Sequence, residues 1–226
     1  MNIYFLLEDS KSAFYVWSEW LKEMLPNFTQ AFQLNDIKDY QYCIESGYGY
    51  PAIKKYFIDS LKLIQTKKIK LDYFVLVYDS DDRNDVEIEN EKTELNKLFN
   101  ATKISAKFEI IVMKKCFETW LIGNRNVYPY NNDNFHKYEQ FYNASILNPE
   151  DMGYPANESS SVGNYHYRYF QEMLKCSVHK NYCKKRPGYV YNKFFLDGMI
   201  DRISTSEDLK SFREFVNIVE QVKATC

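Results

Sequence analysis

The segment YFVLVY (73–78) constrains the fold most, because each of its positions is apolar or aromatic. Strands that are buried on both faces have this composition, and they occur mainly in parallel sheets covered by helices. Three carboxylates follow within four positions, in the sequence DSDD (79–82). Burial of these acids without partners is prohibitive, so we predict that the strand ends at an exposed edge of the sheet.

Similar apolar runs alternate with amphipathic segments through residue 122. The predicted strands are 2–7, 40–46, 73–78 and 107–113, and the predicted helices are 10–25, 52–64, 86–99 and 117–122. In the first helix, Phe14, Trp17 and Leu21 recur at helical spacing, and Ser10 or Ser12 is available as the N-terminal cap. The alternation predicts an α/β fold with a mostly parallel, Rossmann-like sheet flanked by helices.

The composition changes after residue 123. Residues 124–160 are rich in Asn, Pro, Ser and Tyr and are predicted to be irregular, and helices are predicted at 163–175, 189–202 and 206–222. Ser206 begins the last of these helices in an imperfect capping box. We therefore predict an α/β core over 1–123, and an irregular insert with a helical C-terminal extension over 124–226 that packs on the core.

Charge, apolar runs and cysteine content limit the possible partners and the cell compartment. The formal net charge is −2, so binding to nucleic acid needs a local basic patch. No segment approaches the ~20 apolar residues needed to cross a bilayer, and the N-terminus lacks the pattern of a signal peptide. Five cysteines, an odd number, fit a reducing compartment. We therefore expect a cytoplasmic protein.

Acidic residues recur at the ends of the predicted strands. Glu8 follows the first strand, Asp79, Asp81 and Asp82 follow the third, and Glu118 comes shortly after the fourth. Sites in parallel α/β sheets lie beyond the carboxyl ends of the strands, and oxygen-rich clusters suit Mg²⁺ or Mn²⁺. On an extended strand, positions two apart face the same side, which predicts that Asp79 and Asp81 can bind one cation.

Each of these residues also has a structural interpretation. Glu8 is compatible with a loop or helix-start position, and Asp-rich segments commonly form turns. Glu118 suits the N-terminus of its helix through the helix dipole. Lys114 and Lys115 precede Glu118 and are compatible either with contacts to a phosphate backbone or with simple solvation.

Three segments taken together resemble a Toprim domain: IYFLLEDSKS (3–12), FVLVYDSDD (74–82) and KKCFETWLIGN (114–124). The chain is similar to the small standalone bacterial Toprim-like proteins related to OLD-family (overcoming lysogenization defect) nucleases. This resemblance implies a Mg²⁺- or Mn²⁺-dependent nuclease acting on DNA or RNA, often in anti-phage defence beside an ATPase partner. It leaves self-association into a homo-oligomer open.

The resemblance also implies roles for individual residues. Glu8, Asp79 and Asp81 match the family's metal-binding and catalytic acids, Glu118 matches its later acid, and Asp82 is a further candidate metal ligand. The chain departs from the family where Asp9 replaces a glycine and Ser12 replaces a second glutamate.

Those departures open two further interpretations. The first is a catalytically weakened binding or regulatory subunit that docks on an ATPase or another defence protein. The second is a nuclease that is silent until its partner is present. Asp9 or Asp82 could also compensate for the missing acid and keep the nuclease active.

Three other segments favour structural roles. Cys176, His179 and Cys183, with His166 upstream, have ligand-like spacing for zinc but lack a second cysteine pair, which favours ordinary packing. The basic and aromatic run 179–193 could bind single-stranded nucleic acid, yet a connector with inward-facing tyrosines is favoured. The sequence ESGYGYP lacks a phosphate-binding glycine pattern and is predicted to form a tight turn.

Overall fold

The computed structural model describes residues 1–225, and in them five strands form one all-parallel sheet. The strands are β1 (Asn2–Leu7), β2 (Thr29–Ala31), β3 (Gln41–Ser46), β4 (Tyr73–Asp79) and β5 (Lys107–Met113). Their order across the sheet is β2-β3-β1-β4-β5. The predicted α/β fold with a Rossmann-like sheet and a helical C-terminal extension is confirmed.

The same residues contain eight α-helices. The first four are α1 (Ser12–Met24), α2 (Ala52–Lys67), α3 (Asp85–Ala101) and α4 (Phe117–Ile122). The others are α5 (His136–Phe141), α6 (Val162–Val178), α7 (Lys193–Thr205) and α8 (Lys210–Ala224). No helix within residues 1–225 combines the length and the apolar character that a membrane span requires.

The described residues group into two compact units. Unit 1 comprises 1–78, 83–112 and the chain from 219 onward, and it holds nearly all of the sheet. Unit 2 comprises 79–82 and 113–218, and it consists mainly of helices. The predicted domain boundary at residue 123 stays a prediction.

The core of unit 1 explains why the chain alternates between strands and helices. Tyr4 and Phe74 lie on one sheet face, where they meet Phe57 of α2 and Phe99 of α3. On the opposite face, the ring of Phe5 contacts Trp17 of α1. Residues 74–77 are therefore buried on both sides, as their apolar sequence predicts.

The core of unit 2 is also aromatic. The indole of Trp120 in α4 packs against the rings of Phe212 and Phe215 in α8, at centroid distances of 5.2 and 6.0 Å. The indole N–H donates a hydrogen bond to Ser211 Oγ at 2.7 Å. Glu150 accepts bonds from the backbone N–H groups of Lys210 and Ser211. Its carboxylate therefore neutralises the positive end of α8.

Several predicted boundaries and caps are wrong. The prediction missed the short edge strand β2 and the helix α5. Helix α7 begins only at Lys193, because Gly188–Tyr191 form a 3-10 turn. The last helix begins at Lys210, not at Ser206, because Leu209 has a positive φ of 51° and Glu150 binds the first helical N–H groups.

Candidate functional site

Glu8 comes directly after β1, at the edge of unit 1 where β1 and β4 both end. Its backbone N–H donates to the carbonyl of Val77 at 2.8 Å, and its carbonyl accepts from the N–H of Gly49 at 2.9 Å. The carboxylate Oε1 accepts from the N–H of Tyr50 at 3.0 Å. The residue is only 8% exposed, so the loop before α2 holds Glu8 in a defined position.

The strand register determines which residue lies beside Glu8. Leu7 of β1 pairs with Val77 of β4, so the next residue, Glu8, is level with Tyr78. Consecutive residues of a strand point to opposite faces, so Tyr78 and Asp79 do not share a face. Tyr78 belongs to the core cluster that α2 and α3 cover.

The turn that carries Asp79, Asp81 and Asp82 is described within unit 2. The N–H of Ser80 donates to the carbonyl of Met113 at 2.9 Å, and Ser80 Oγ accepts from the N–H of Lys115 at 2.7 Å. The N–H of Asp81 donates to the carbonyl of Lys115 at 2.8 Å. Three bonds therefore fix the turn to residues 113–115, and the side chains of Asp81 and Asp82 are exposed.

The expectation that Asp79 and Asp81 face the same side of an extended strand is wrong. Strand β4 ends at Asp79, and Asp81 has a φ of 49°, in the left-handed region. The rule for positions two apart holds only while the chain is extended. Aspartate tolerates the left-handed region better than most residues, which suits Asp81 to this turn.

Lys114 and Lys115 lie between β5 and α4, with side chains that are half-buried. Lys115 has a φ of 67°, which is uncommon for a residue other than glycine. Its backbone N–H and carbonyl are the groups that bind Ser80 and Asp81. A role of the two side chains in binding phosphate stays a prediction.

Glu118 is almost fully buried in the first turn of α4, with 1% exposed. Its Oε1 accepts a hydrogen bond from the hydroxyl of Tyr182 at 3.0 Å, and its Oε2 lies 3.3 Å from the ammonium of Lys184. The buried Glu118 thus forms an ion pair with Lys184 of the basic run 179–193, whose side chain is partly exposed. Sequence reasoning missed both partners, because more than 60 residues separate them from Glu118.

The two departures from the Toprim pattern are bonded to each other. Asp9 Oδ2 accepts from the hydroxyl of Ser12 at 2.8 Å and from the N–H of Ala13 at 2.9 Å, and Oδ1 accepts from the N–H of Lys11 at 2.8 Å. The side-chain cap of α1 is therefore Asp9, and the predicted cap at Ser10 or Ser12 is wrong. This bonding occupies both Asp9 oxygens at the helix start.

The possible metal ligands of the described residues do not form a closed metal site. Within residues 1–225, no group of three or more His, Cys, Asp or Glu side chains is placed to hold a metal ion. The zinc candidates Cys176, His179 and Cys183 therefore do not form such a group either. Mg²⁺ commonly binds through one or two carboxylates plus waters and substrate phosphates. The all-oxygen donors of the turn 79–82 fit an ion of that kind, and they do not fit a closed protein cage.

His166 of α6 is buried in unit 2 as a neutral side chain. Its Nε2 donates to the carbonyls of Met152 and Gly153 at 3.1 and 3.2 Å, so Nδ1 accepts from the hydroxyl of Thr119 at 2.7 Å. Burial is the largest cause that lowers the pKa of His166, to about 4. Both ring nitrogens are therefore used for packing.

We expect acid to destabilise the protein through His166. The unfolded chain, in which the pKa of histidine is about 6.5, takes up a proton that the folded state resists down to about pH 4. Stability is then lost as the pH falls through this window, by up to roughly 3 kcal/mol in total. The measurement is urea unfolding of the wild type and of His166→Gln between these pH values. Parallel stability curves for the two proteins would contradict the expectation.

No family model, curated protein or solved structure matches this chain.

Proposed function

We propose that the chain is a Toprim-type, metal-dependent nuclease that hydrolyses phosphodiester bonds of DNA or RNA. The observation that carries the proposal is the parallel pairing of β1 and β4, in which the N–H of Glu8 binds the carbonyl of Val77. An acidic residue follows β1, and the turn 79–82 with its three aspartates follows β4. Carboxyl ends of neighbouring parallel strands are where α/β enzymes place their sites.

The proposed roles follow the resemblance, residue by residue. Glu8, Asp79, Asp81 and Asp82 are the acids that the resemblance assigns to Mg²⁺ or Mn²⁺. Because no three such side chains within residues 1–225 are placed together for a metal, one or two of these carboxylates would hold the ion, with waters and substrate phosphates as its other ligands. When bound, the ion supplies positive charge that polarises the scissile phosphate.

The remaining roles belong to the chain's basic residues and to Glu118. Lys114 and Lys115 contact the phosphate backbone and fix its position relative to the acidic residues. Glu118, the family's later acid, acts by keeping Lys184 in place through their ion pair.

The proposed activity also implies a compartment, a biological role and a partner. We place the protein in the cytoplasm, in anti-phage defence, with an ATPase as partner subunit and with self-association as a further option. The odd number of cysteines supports the reducing compartment. The four cysteines within residues 1–225 are all free.

A second candidate function is a Toprim-like binding subunit that has lost catalysis. Two observations favour it. The Asp9 carboxylate is used to cap α1, and Ser12 is its bonded partner at the position of the family's second glutamate. In addition, the charge of the buried Glu118 is neutralised by an ion pair with the partly exposed Lys184.

Metal titration and cleavage assays separate the two candidates. For the nuclease, we expect calorimetry to detect Mn²⁺ or Mg²⁺ binding, and we expect the purified protein to nick plasmid DNA or cut tRNA when the metal is added. EDTA should abolish that cleavage. Absence of both metal binding and cleavage, also after addition of the ATPase partner, would contradict the nuclease and leave the binding subunit.

A further inference from the structure

A cavity of about 450 Å³ lies at the amino ends of the strands in unit 1. Its walls come from the loop before β3, from the end of α2 with the loop that follows it, and from the first residue of β1. Asn2 begins β1 and lines the cavity, whereas Glu8 follows the last residue of the same strand. The cavity is therefore separate from Glu8, and its volume is within the roughly 300–1,000 Å³ of small-molecule sites.

Lysines dominate the walls of the cavity. Among its nine lining residues are Lys38, Lys67, Lys68 and Lys70, and the one acid is Asp39. The four lysines are exposed, and the ion pairs within residues 1–225 are formed by other lysines. Their charges repel one another without a counter-charge, so an anion that enters the cavity is attracted.

Two features oppose an anion, but they do not cancel the lysines. Asp39 carries one negative charge, and the C-terminal end of α2, at Lys67, carries about half of one. Lysines commonly stabilise such a helix end, which accounts for Lys67 and Lys68 alone. Lys38 and Lys70 lie in loops, so the helix does not explain their place in the walls. The lining stays positive overall.

Asn2 provides a second, independent indication of a ligand. The residue lines the cavity and is only 6% exposed. Its Nδ2 donates to the carbonyl of Lys70 at 3.0 Å, but no donor within residues 1–225 bonds to its buried Oδ1. A buried acceptor without a donor is unfavourable. A ligand whose hydroxyl or amino group reaches Oδ1 therefore gains binding free energy.

We propose that this cavity binds a small phosphorylated molecule that carries hydroxyl or amino groups, the chemistry that nucleotides and sugar phosphates share. Lysine ammonium groups bind phosphate as point charges. A phosphate monoester carries nearly two negative charges at pH 7, so it matches the positive lining better than a single carboxylate does. A nucleic-acid strand has one charge per phosphate and follows an extended groove, so a compact cavity favours the small molecule.

Calorimetric titration tests the class of ligand. The intact protein is titrated in EDTA with ADP, ribose 5-phosphate, inorganic phosphate, citrate and oligo(dT). We expect ADP or ribose 5-phosphate to bind more tightly than inorganic phosphate, because their sugar hydroxyls can reach Asn2 while the phosphate stays at the lysines. The tighter of the two identifies a nucleotide or a sugar phosphate as the source. Citrate, an anion built from carboxylates, should bind more weakly than both.

Two matched double variants assign the binding to the cavity. We expect Lys38→Gln with Lys70→Gln to bind the organic phosphate about 10-fold or more weakly, the order expected for lost contacts to a charged group. Lys55→Gln with Lys97→Gln removes the same net charge from exposed positions on α2 and α3 outside the cavity, and it should bind like the wild type. Circular dichroism of each variant confirms that the compared proteins are folded.

The outcomes are separate from those for the proposed nuclease. The inference is overturned if neither organic phosphate binds, if citrate or inorganic phosphate binds as tightly, if both double variants lose affinity equally, or if oligo(dT) alone binds. Binding of ADP or ribose 5-phosphate that weakens only in the variant of Lys38 and Lys70 supports it. A protein that never cleaves nucleic acid but binds in this way overturns the nuclease and leaves the cavity assigned.

Discussion

Replacement of both Asp79 and Asp81 by asparagine is expected to abolish metal-dependent cleavage while the protein stays folded. The loss should be about 10³-fold or more, because a bound cation supplies several kcal/mol of transition-state stabilisation. Asparagine keeps the size of aspartate and tolerates the left-handed conformation of residue 81. Three bonds that hold the turn come from the backbone and from Ser80, and these three remain in the variant.

A matched control removes two carboxylates of unit 1 that lie outside the candidate site. Asp36 and Asp39 are exposed and lie before β3, at the amino ends of the strands. Asp36→Asn with Asp39→Asn should cleave like the wild type. Cleavage is measured on plasmid DNA and on tRNA with Mg²⁺ and with Mn²⁺. Persistent cleavage by the purified Asp79→Asn, Asp81→Asn protein would show that these acids do not carry the reaction.

Replacement of Arg202 by methionine is expected to destabilise the protein by about 3–5 kcal/mol, the range for breaking a buried ion pair. Arg202 is fully buried in α7. Its guanidinium donates to Asp208 at 2.8 Å and to the carbonyls of Ala144 and Leu147 at 2.9 and 2.8 Å. Methionine of similar volume would leave these oxygens without their donor.

Thermal unfolding measures this effect. For a chain of this size, the loss corresponds to a fall in Tm of roughly 6–20 °C. Arg202→Lys keeps the charge but not the fork of donors, so its Tm should lie between the two. Lys193→Met in the same helix breaks an exposed pair with Asp197 and should change stability by less than about 1 kcal/mol. A Tm of Arg202→Met within a few degrees of wild type would contradict the assigned role.

The two predictions concern different parts of unit 2. The turn 79–82 is proposed for chemistry, and bonds of its backbone and of Ser80 fix it to residues 113–115. The contacts of Arg202 join α7 to residues 144–147 and to Asp208, and they stabilise unit 2 without touching any candidate acid. A loss of cleavage in Asp79→Asn, Asp81→Asn with unchanged Tm would therefore separate chemistry from folding.

The candidate site was partly predictable. The positions of Glu8 and Asp79 at strand ends follow from where the apolar runs stop, and β1 and β4 are neighbours as the site required. The conformation of Asp81 was not predictable from strand periodicity, because that periodicity ends with the strand. The use of Asp9 as a helix cap was not predictable from the sequence, because Asp9, Ser10 and Ser12 all carry side chains that can cap the start of α1.

By itself, the sequence determined the α/β class, the limits of β1 and β5 and, to within one residue, those of β4, because the spacing of apolar residues indicates which faces of each element are buried. Only the tertiary structure decided the partners of Glu118, Arg202 and Glu150. Those pairs form when helices and loops that are distant in the chain pack together. A buried charge must then be paired with an opposite charge or hydrogen-bonded, and no local sequence pattern indicates which residue is its partner.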